Sequence, residues 1–167
     1  EVQNTPPSEN EFVSQKYGKY ANKTFGIGTQ KEKVSDAGCA PSTAVMAINS
    51  NLGKRSRLTM EDALKHASGY IADNGGVTPD YFADEFKRYG FKTAYVPKSD
   101  DKQKDVMKHQ LMNGKSIVLM GRNTSNNSKK KSPFGPNYHY VVATGMSGEN
   151  MYISVTRRLR LLTLNIQ

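Results

Sequence analysis

Apolar residues recur at helical spacing in three segments of the first half of the chain. Residues 40–51 carry apolar side chains on nearly every side, which is typical of a helix buried at the centre of a domain. Residues 59–68 open on a threonine followed by acidic residues, and residues 78–90 open on Thr78-Pro79-Asp80; both openings are helix start signals. The pattern therefore predicts three helices, the last with an apolar stripe formed by Tyr81, Phe82, Phe86 and Tyr89.

The second half of the chain has the composition and spacing of strands. Strands are predicted at residues 91–96, 116–120, 139–144 and 151–154. A helix over about residues 101–112, ended by Asn113-Gly114, separates the first two strands. Because helices come first and strands mostly later, we expect an α+β fold with an antiparallel sheet. Residues 25–28 contain two glycines and are predicted to form a turn.

Length and composition favour one domain. The chain has 167 residues, enough to bury a real core. Residues 1–11 are polar and contain two prolines, so we expect a linker there and a single domain over residues 12–167. No apolar stretch is long enough to span a bilayer, and the first ten residues lack the pattern of a signal peptide.

The chain is basic, with 24 Lys and Arg against 15 Asp and Glu and a net charge of +9. Such a charge favours polyanionic surroundings, whether nucleic acid, anionic wall polymers or acidic lipid. The charges are scattered, however, and the one dense lysine run, at residues 129–131, lies in a polar stretch typical of a surface loop. Since no segment combines basic residues with interleaved aromatics, we expect no specific nucleic-acid binding.

Cys39 is the only cysteine of the chain and stands where a polar loop gives way to the first predicted helix. Free backbone N–H groups and the positive end of the helix dipole at such a place favour thiolate over thiol. A lone cysteine is more often an inert buried residue, so this position alone does not establish a nucleophile.

His139 begins a predicted strand one hundred residues after Cys39. A helix-start cysteine followed by a strand-start histidine supplies the thiolate and the imidazole that a cysteine hydrolase needs. His66 and His109 fall within amphipathic helices and are expected at the surface. The histidines are dispersed and offer no ligand pair, so we expect no metal site and no cofactor.

Three blocks of sequence resemble a known family. They are Gln15 to Gly26, with a Gln, aromatic, Ala and Gly pattern; Gly38-Cys39-Ala40-Pro41-Ser42-Thr43; and His139-Tyr140-Val141-Val142-Ala143-Thr144-Gly145. Together they resemble the cell-wall-associated and phage-lysin relatives of the double-glycine leader peptidases, which are papain-like cysteine peptidases. The resemblance covers about residues 12–154.

The resemblance implies a papain-like fold, in which a helix carrying the nucleophile at its N-terminus packs on an antiparallel sheet carrying the histidine. Cys39 would be the nucleophile and His139 the general acid and base. The implied function is hydrolysis of peptide or amide bonds in bacterial peptidoglycan by a secreted, wall-associated or phage-encoded enzyme. Two alternatives stay open: a protease that cuts a protein or leader peptide after paired glycines, and a catalytically impaired wall-binding module.

The oxyanion donor departs from the papain-like pattern. Such enzymes commonly place a glutamine six residues before the cysteine, and this chain has Lys33 there. We take Gln30 as the candidate side-chain donor, while the backbone N–H of Cys39 can donate in any case.

The third catalytic residue is the second departure. The family has an Asp-Pro step after the histidine strand, expected here near Val155 or Thr156, yet no aspartate follows His139. Asn150, Asn165 or a backbone carbonyl are the available substitutes. We hypothesise that residues 155–167, which are basic and leucine-rich, come from a shifted reading frame. If Val155 to Arg158 were encoded GTG-ACC-CGG-AGN, reading from the third base would give Asp-Pro-Glu.

Overall fold

The computed structural model of the protein describes residues 15–16, 18–52, 57–95, 103–122, 138–154 and 161–165, the last segment and Ser154 by their backbone. The elements in chain order are β1 (Thr24–Ile27), β2 (Gln30–Lys33), α1 (Val34–Ala37), α2 (Cys39–Leu52), α3 (Met60–Ala67), α4 (Asp80–Arg88), α5 (Gln103–Met112), β3 (Ile117–Gly121), β4 (His139–Ser147), β5 (Asn150–Ser154) and β6 (Leu161–Asn165). The expected linker at residues 1–11 lies outside the described residues and stays a prediction.

Helix α2 is the centre of the fold, as its apolar pattern predicts. Eleven of its fourteen residues, from Cys39 to Asn49, are buried. Its partners are α3, α4 and the sheet. Asn49 ties the segment before α3 to this helix, since its side chain donates to Leu58 O at 3.1 Å and accepts from Leu58 N at 2.9 Å.

The predicted start of α3 is confirmed. Thr59 is the N-cap of the helix, and its hydroxyl oxygen accepts a hydrogen bond from Asp62 N at 3.1 Å. Such a cap satisfies one of the backbone donors that a helix start leaves unpaired, so local sequence alone specifies this boundary.

Four strands form an antiparallel sheet in the order β3-β4-β5-β6, which confirms the α+β prediction. Alternate residues of β4 face opposite sides. Val142 packs with Met46 and Ala47 of α2, whereas Val141 and Ala143 pack with Leu111 of α5. Strand β4 therefore lies between helices on both faces, and both of its faces are buried.

The strand predicted at residues 91–96 is wrong for the part that the structure describes. Residues 91–95 have no regular structure, and Val96 lies outside the described residues. At the end of α4, Gly90 has a φ of +81° and Phe91 N donates back to Phe86 O at 3.0 Å. The start of the segment is thus bonded to α4, and residues 91–95 belong to neither described sheet.

The turn predicted at residues 25–28 is wrong for residues 25–27, which belong to strand β1; the chain turns at residues 28–29, between β1 and β2 of an antiparallel hairpin. Gly26 makes the hairpin possible because its φ is +128° and a Cβ there would lie 1.9 Å from Gln30 O. Its N–H donates to Ser68 Oγ at 2.9 Å, which anchors the hairpin on the segment after α3.

His66 is not the surface residue that its helix pattern predicts. Its side chain is 24% exposed, and Nδ1 lies 2.9 Å from Oε1 of Glu85, a carboxylate with no exposed side-chain surface. Glu85 belongs to α4, so the pair joins two helices across their interface. Burial raises the pKa of the neighbouring Tyr81, and the Glu85 carboxylate raises that pKa further. His109, in contrast, is exposed as predicted.

Replacement of His66 by alanine is expected to lower the free energy of unfolding by about 3 kcal/mol, because it leaves the Glu85 carboxylate buried without its histidine partner. Urea denaturation at pH 7 measures the change. His109→Ala is the matched control and should change stability by less than about 0.5 kcal/mol. Equal losses in the two variants would contradict a stabilising role for the pair.

Candidate active site

Cys39 is the first residue of α2 and follows α1 after a single glycine. Gly38 N donates to Val34 O at 2.8 Å, so the two helices meet with almost no connecting loop. A Cβ on Gly38 would lie 2.5 Å from Val34 O, which explains why a glycine stands before the cysteine. Cys39 is 8% exposed, and as the first residue of α2 it lies at the N-terminus of that helix.

His139 is the first residue of β4 and is paired with Gly121 of the neighbouring strand β3. Its side chain is fully buried. The predicted strand start at this histidine is confirmed. Pairing with β3 holds the backbone of His139 in place at the start of β4.

A hydrogen bond joins the chain segments that carry the two residues. Thr43, one turn after Cys39 on α2, donates through Oγ1 to Tyr140 O at 3.3 Å. Tyr140 directly follows His139. Burial raises the pKa of the Tyr140 phenol, and the charges of Cys39 and Asp80 raise it further. Cys39 and Tyr140 are buried in the same hydrophobic cluster. The first turn of α2 and the start of β4 therefore lie side by side, although one hundred residues separate Cys39 from His139 in the chain.

The side chain of Gln30, the candidate oxyanion donor, is hydrogen-bonded to Asp73. It is an exposed residue at the start of β2, and its Nε2 donates to Asp73 Oδ1 at 2.9 Å. The bond ties the β1–β2 hairpin to the turn that precedes α4. Gln30 therefore joins two surface segments, and this contact gives no support to a role as oxyanion donor.

Gln15 is a second candidate oxyanion donor, which its spacing from Cys39 does not indicate. Its side chain is fully buried, and Nε2 donates at 3.2 Å to the carbonyl of Ser35 in α1, the short helix that leads into Cys39. The spacing rule of six residues could not find it, since Gln15 lies 24 residues before Cys39. The only sequence signal was the resemblance block that begins at Gln15.

The positions expected for a third catalytic residue, Val155 and Thr156, lie outside the described residues. Strand β5 ends at Ser154, in register with Val142 of β4. Asn150 begins β5 opposite Ser147, and Asn165 is paired with Asn150. Because Ser147 is eight residues along β4 from His139, both asparagines lie about 26 Å from the start of that strand. Asn150 and Asn165 are therefore wrong as substitutes for the missing aspartate.

The described part of the chain, residues 15–165 with its gaps, contains no group of three or more His, Cys, Asp or Glu side chains that could hold a metal ion. Among its helices, none is long and apolar enough to cross a membrane.

A buried helix with a cysteine at its N-terminus, packed on an antiparallel sheet in which one strand begins with a histidine, defines a papain-like cysteine peptidase fold. The sequence comparison agrees with this class. The chain matches the model of the Peptidase_C39 like family over residues 11–156 and belongs to that family. No curated protein and no solved structure matches the chain.

Proposed function

We propose that this domain hydrolyses peptide bonds of bacterial peptidoglycan, with Cys39 as nucleophile and His139 as general acid and base. The observation that carries the proposal is the Thr43–Tyr140 hydrogen bond, which holds the first turn of α2 against the start of β4. Membership of a cysteine peptidase family supports the reaction class.

The reaction proceeds in two halves. The Cys39 thiolate attacks the carbonyl carbon of the scissile bond, and the His139 imidazolium donates its proton to the departing amine, which leaves a thioester on Cys39. His139, now neutral, removes a proton from water, and the resulting hydroxide attacks the thioester carbonyl. The C–S bond then breaks, which gives a carboxylic acid and the regenerated thiolate–imidazolium pair, and the acid loses its proton to solvent. His139 serves as acid in the first half and as base in the second, so the chemistry requires no cofactor.

Two donors are proposed for the oxyanion that forms during each attack. The first is the backbone N–H of Cys39, the first residue of α2, which lies at the attacking residue itself. The second is the side chain of Gln15, which is buried and donates to Ser35 O in α1, the helix that leads into Cys39. We prefer Gln15 to Gln30 because Gln15 is buried against that helix, whereas Gln30 is exposed on the β1–β2 hairpin.

Two further observations support the proposed substrate and location. The net charge of +9 favours the anionic polymers of Gram-positive walls, and the sequence blocks resemble wall-associated and phage-lysin peptidases. We therefore propose that the protein acts outside the bacterial cell or at its wall, on cross-bridges or stem peptides.

A non-catalytic wall-binding module is the second candidate, and one observation favours it: no aspartate follows His139 in the chain. Loss of the residue that orients a catalytic histidine lowers the rate by orders of magnitude, while leaving residual catalysis from the other groups. A protease that cuts after paired glycines would use the same Cys39 and His139 and differ only in substrate.

The test incubates the protein separately with purified Gram-positive peptidoglycan and with a peptide containing a Gly-Gly bond, and identifies released fragments by mass spectrometry. We expect new amino termini from peptidoglycan and none from the peptide. Prior alkylation with iodoacetamide should stop the release, since Cys39 is the only thiol. Cleavage of the Gly-Gly peptide and not of peptidoglycan would contradict the proposal and favour a protease that cuts after paired glycines. Binding to walls without any released fragment would favour the binding module.

A further inference from the structure

Tyr140 makes three contacts with three different parts of the fold, and it directly follows the candidate catalytic histidine. Its backbone carbonyl accepts from Thr43 Oγ1 of α2 at 3.3 Å. Its hydroxyl donates to Val77 O at 2.9 Å, and its ring packs edge-on against Phe82 of α4, with 4.8 Å between ring centroids. Only 7% of the residue is exposed, so these contacts are made away from solvent.

The acceptor of the Tyr140 hydroxyl is held in place by its own backbone. Val77 forms an antiparallel bridge with Ile71, and the turn between them is closed by the Ala72 N–H, which donates to Gly76 O at 2.9 Å. A hydroxyl bonded to such a carbonyl is fixed to a rigid partner. Tyr140 thus links the strand that begins at His139 to the helical half of the fold.

Cys39 belongs to the same cluster. Both residues are buried in one hydrophobic core cluster, which also contains Val77 and Phe82. The Tyr140 hydroxyl donates to Val77 O within that cluster. Movement of Tyr140 would change the distance between sulfur and imidazole, because one neighbour of Tyr140 is His139 in the chain and another is Cys39 in space.

We propose that Tyr140 is a positioning residue, which sets the separation of Cys39 and His139 by fixing the start of β4 to α2 and to the carbonyl of Val77. The inference rests on the proposed function, since it concerns the same Cys39–His139 pair. Tyr140 itself touches neither the substrate nor the proton that is transferred. Its role is to hold the imidazole where the thiolate–imidazolium pair forms.

The first test is Tyr140→Phe, which removes the bond to Val77 O and keeps the ring against Phe82. We expect kcat to fall about tenfold with KM changed less than about twofold, because small misplacement of reacting groups is costly while substrate binding is retained. The rate of iodoacetamide alkylation at pH 6, divided by the rate at pH 9, should fall at least about threefold, since the thiolate at low pH depends on the imidazolium.

Two further variants separate positioning from stability. Thr43→Val removes the other hydrogen bond to Tyr140 with a side chain of the same shape, and should lower the same alkylation ratio, whereas Thr43→Ser should restore it. Tyr81→Phe is the matched control: Tyr81 is also fully buried and also donates to a backbone carbonyl, Ala63 O at 3.5 Å. Its alkylation ratio should equal that of the wild type.

The alkylation ratio needs no substrate, so the inference and the proposed function can fail separately. The wild type could release no fragments while Tyr140→Phe still lowered the reactivity of Cys39 at low pH. That result would overturn only the proposed function. Unchanged kcat and an unchanged ratio in Tyr140→Phe would overturn the inference. A wild-type Cys39 that reacts at pH 6 no faster than a free thiol would overturn it as well, because no pair would then exist to be positioned.

Discussion

Cys39→Ala is expected to abolish hydrolysis of peptidoglycan, with kcat at least about a thousandfold below that of the wild type. The reason is that alanine removes the atom that forms the thioester, and no other thiol exists in the chain to replace it. Fragment release from walls, followed by mass spectrometry under single-turnover conditions, measures the loss.

The fold should survive this substitution. Cys39 is small and buried, and alanine is well tolerated near the start of a helix, so the melting temperature should change by only a few degrees. Cys39→Ser tests the chemistry more finely, because it keeps the shape but replaces a thiolate by a hydroxyl of much higher pKa. We expect it to be nearly as inactive as Cys39→Ala. A Cys39→Ala protein that released the same fragments at the wild-type rate would refute Cys39 as nucleophile.

His139→Gln is expected to have the second-largest effect, a fall in kcat of at least about a thousandfold. Glutamine is polar and of similar length, but it can neither stabilise the thiolate as a cation nor donate a proton to the leaving amine. The alkylation of Cys39 at pH 6 should therefore drop to the rate of an ordinary thiol. Parallel measurements of kcat and of alkylation across pH 5–9 check both consequences.

Because His139 is fully buried, stability must be measured for the same variant. His109→Gln is the matched control, since His109 is exposed on α5 and should leave both rates unchanged. Cys39→Ala combined with His139→Gln should be no less active than Cys39→Ala alone, because the two groups act as one unit. If His139→Gln kept kcat within tenfold of the wild type, another group would have to serve as acid and base.

Local sequence predicts well those elements that depend on neighbours in the chain. The N-cap at Thr59 needs only a hydroxyl and an amide three residues later, and α2 follows from a continuous apolar run. Strand β4 was predicted to begin at His139, and it does. The cap and the helix are defined by interactions within a few residues, whereas β4 pairs with the distant strand β3 and was found only from its apolar run.

The errors fall where a partner distant in the chain decides the outcome. His66 has the surroundings of a surface residue in its own helix, yet α4 brings a buried carboxylate to it. The sequence does not indicate how far the Gln30 side chain lies from Cys39, and the structure joins it to Asp73. No periodicity or spacing within one element contains these contacts.

The amino-acid sequence shows which reactive groups the chain carries: one cysteine before a helical segment, one histidine before a strand, and the family blocks around them. Only the folded chain shows which residues meet, above all that Thr43 binds Tyr140 and that Gln15 binds Ser35. The difference lies in the range of the interactions. Caps, turns and hydrophobic periodicity act over a few residues, while contacts between segments twenty to one hundred residues apart depend on how whole helices and strands pack.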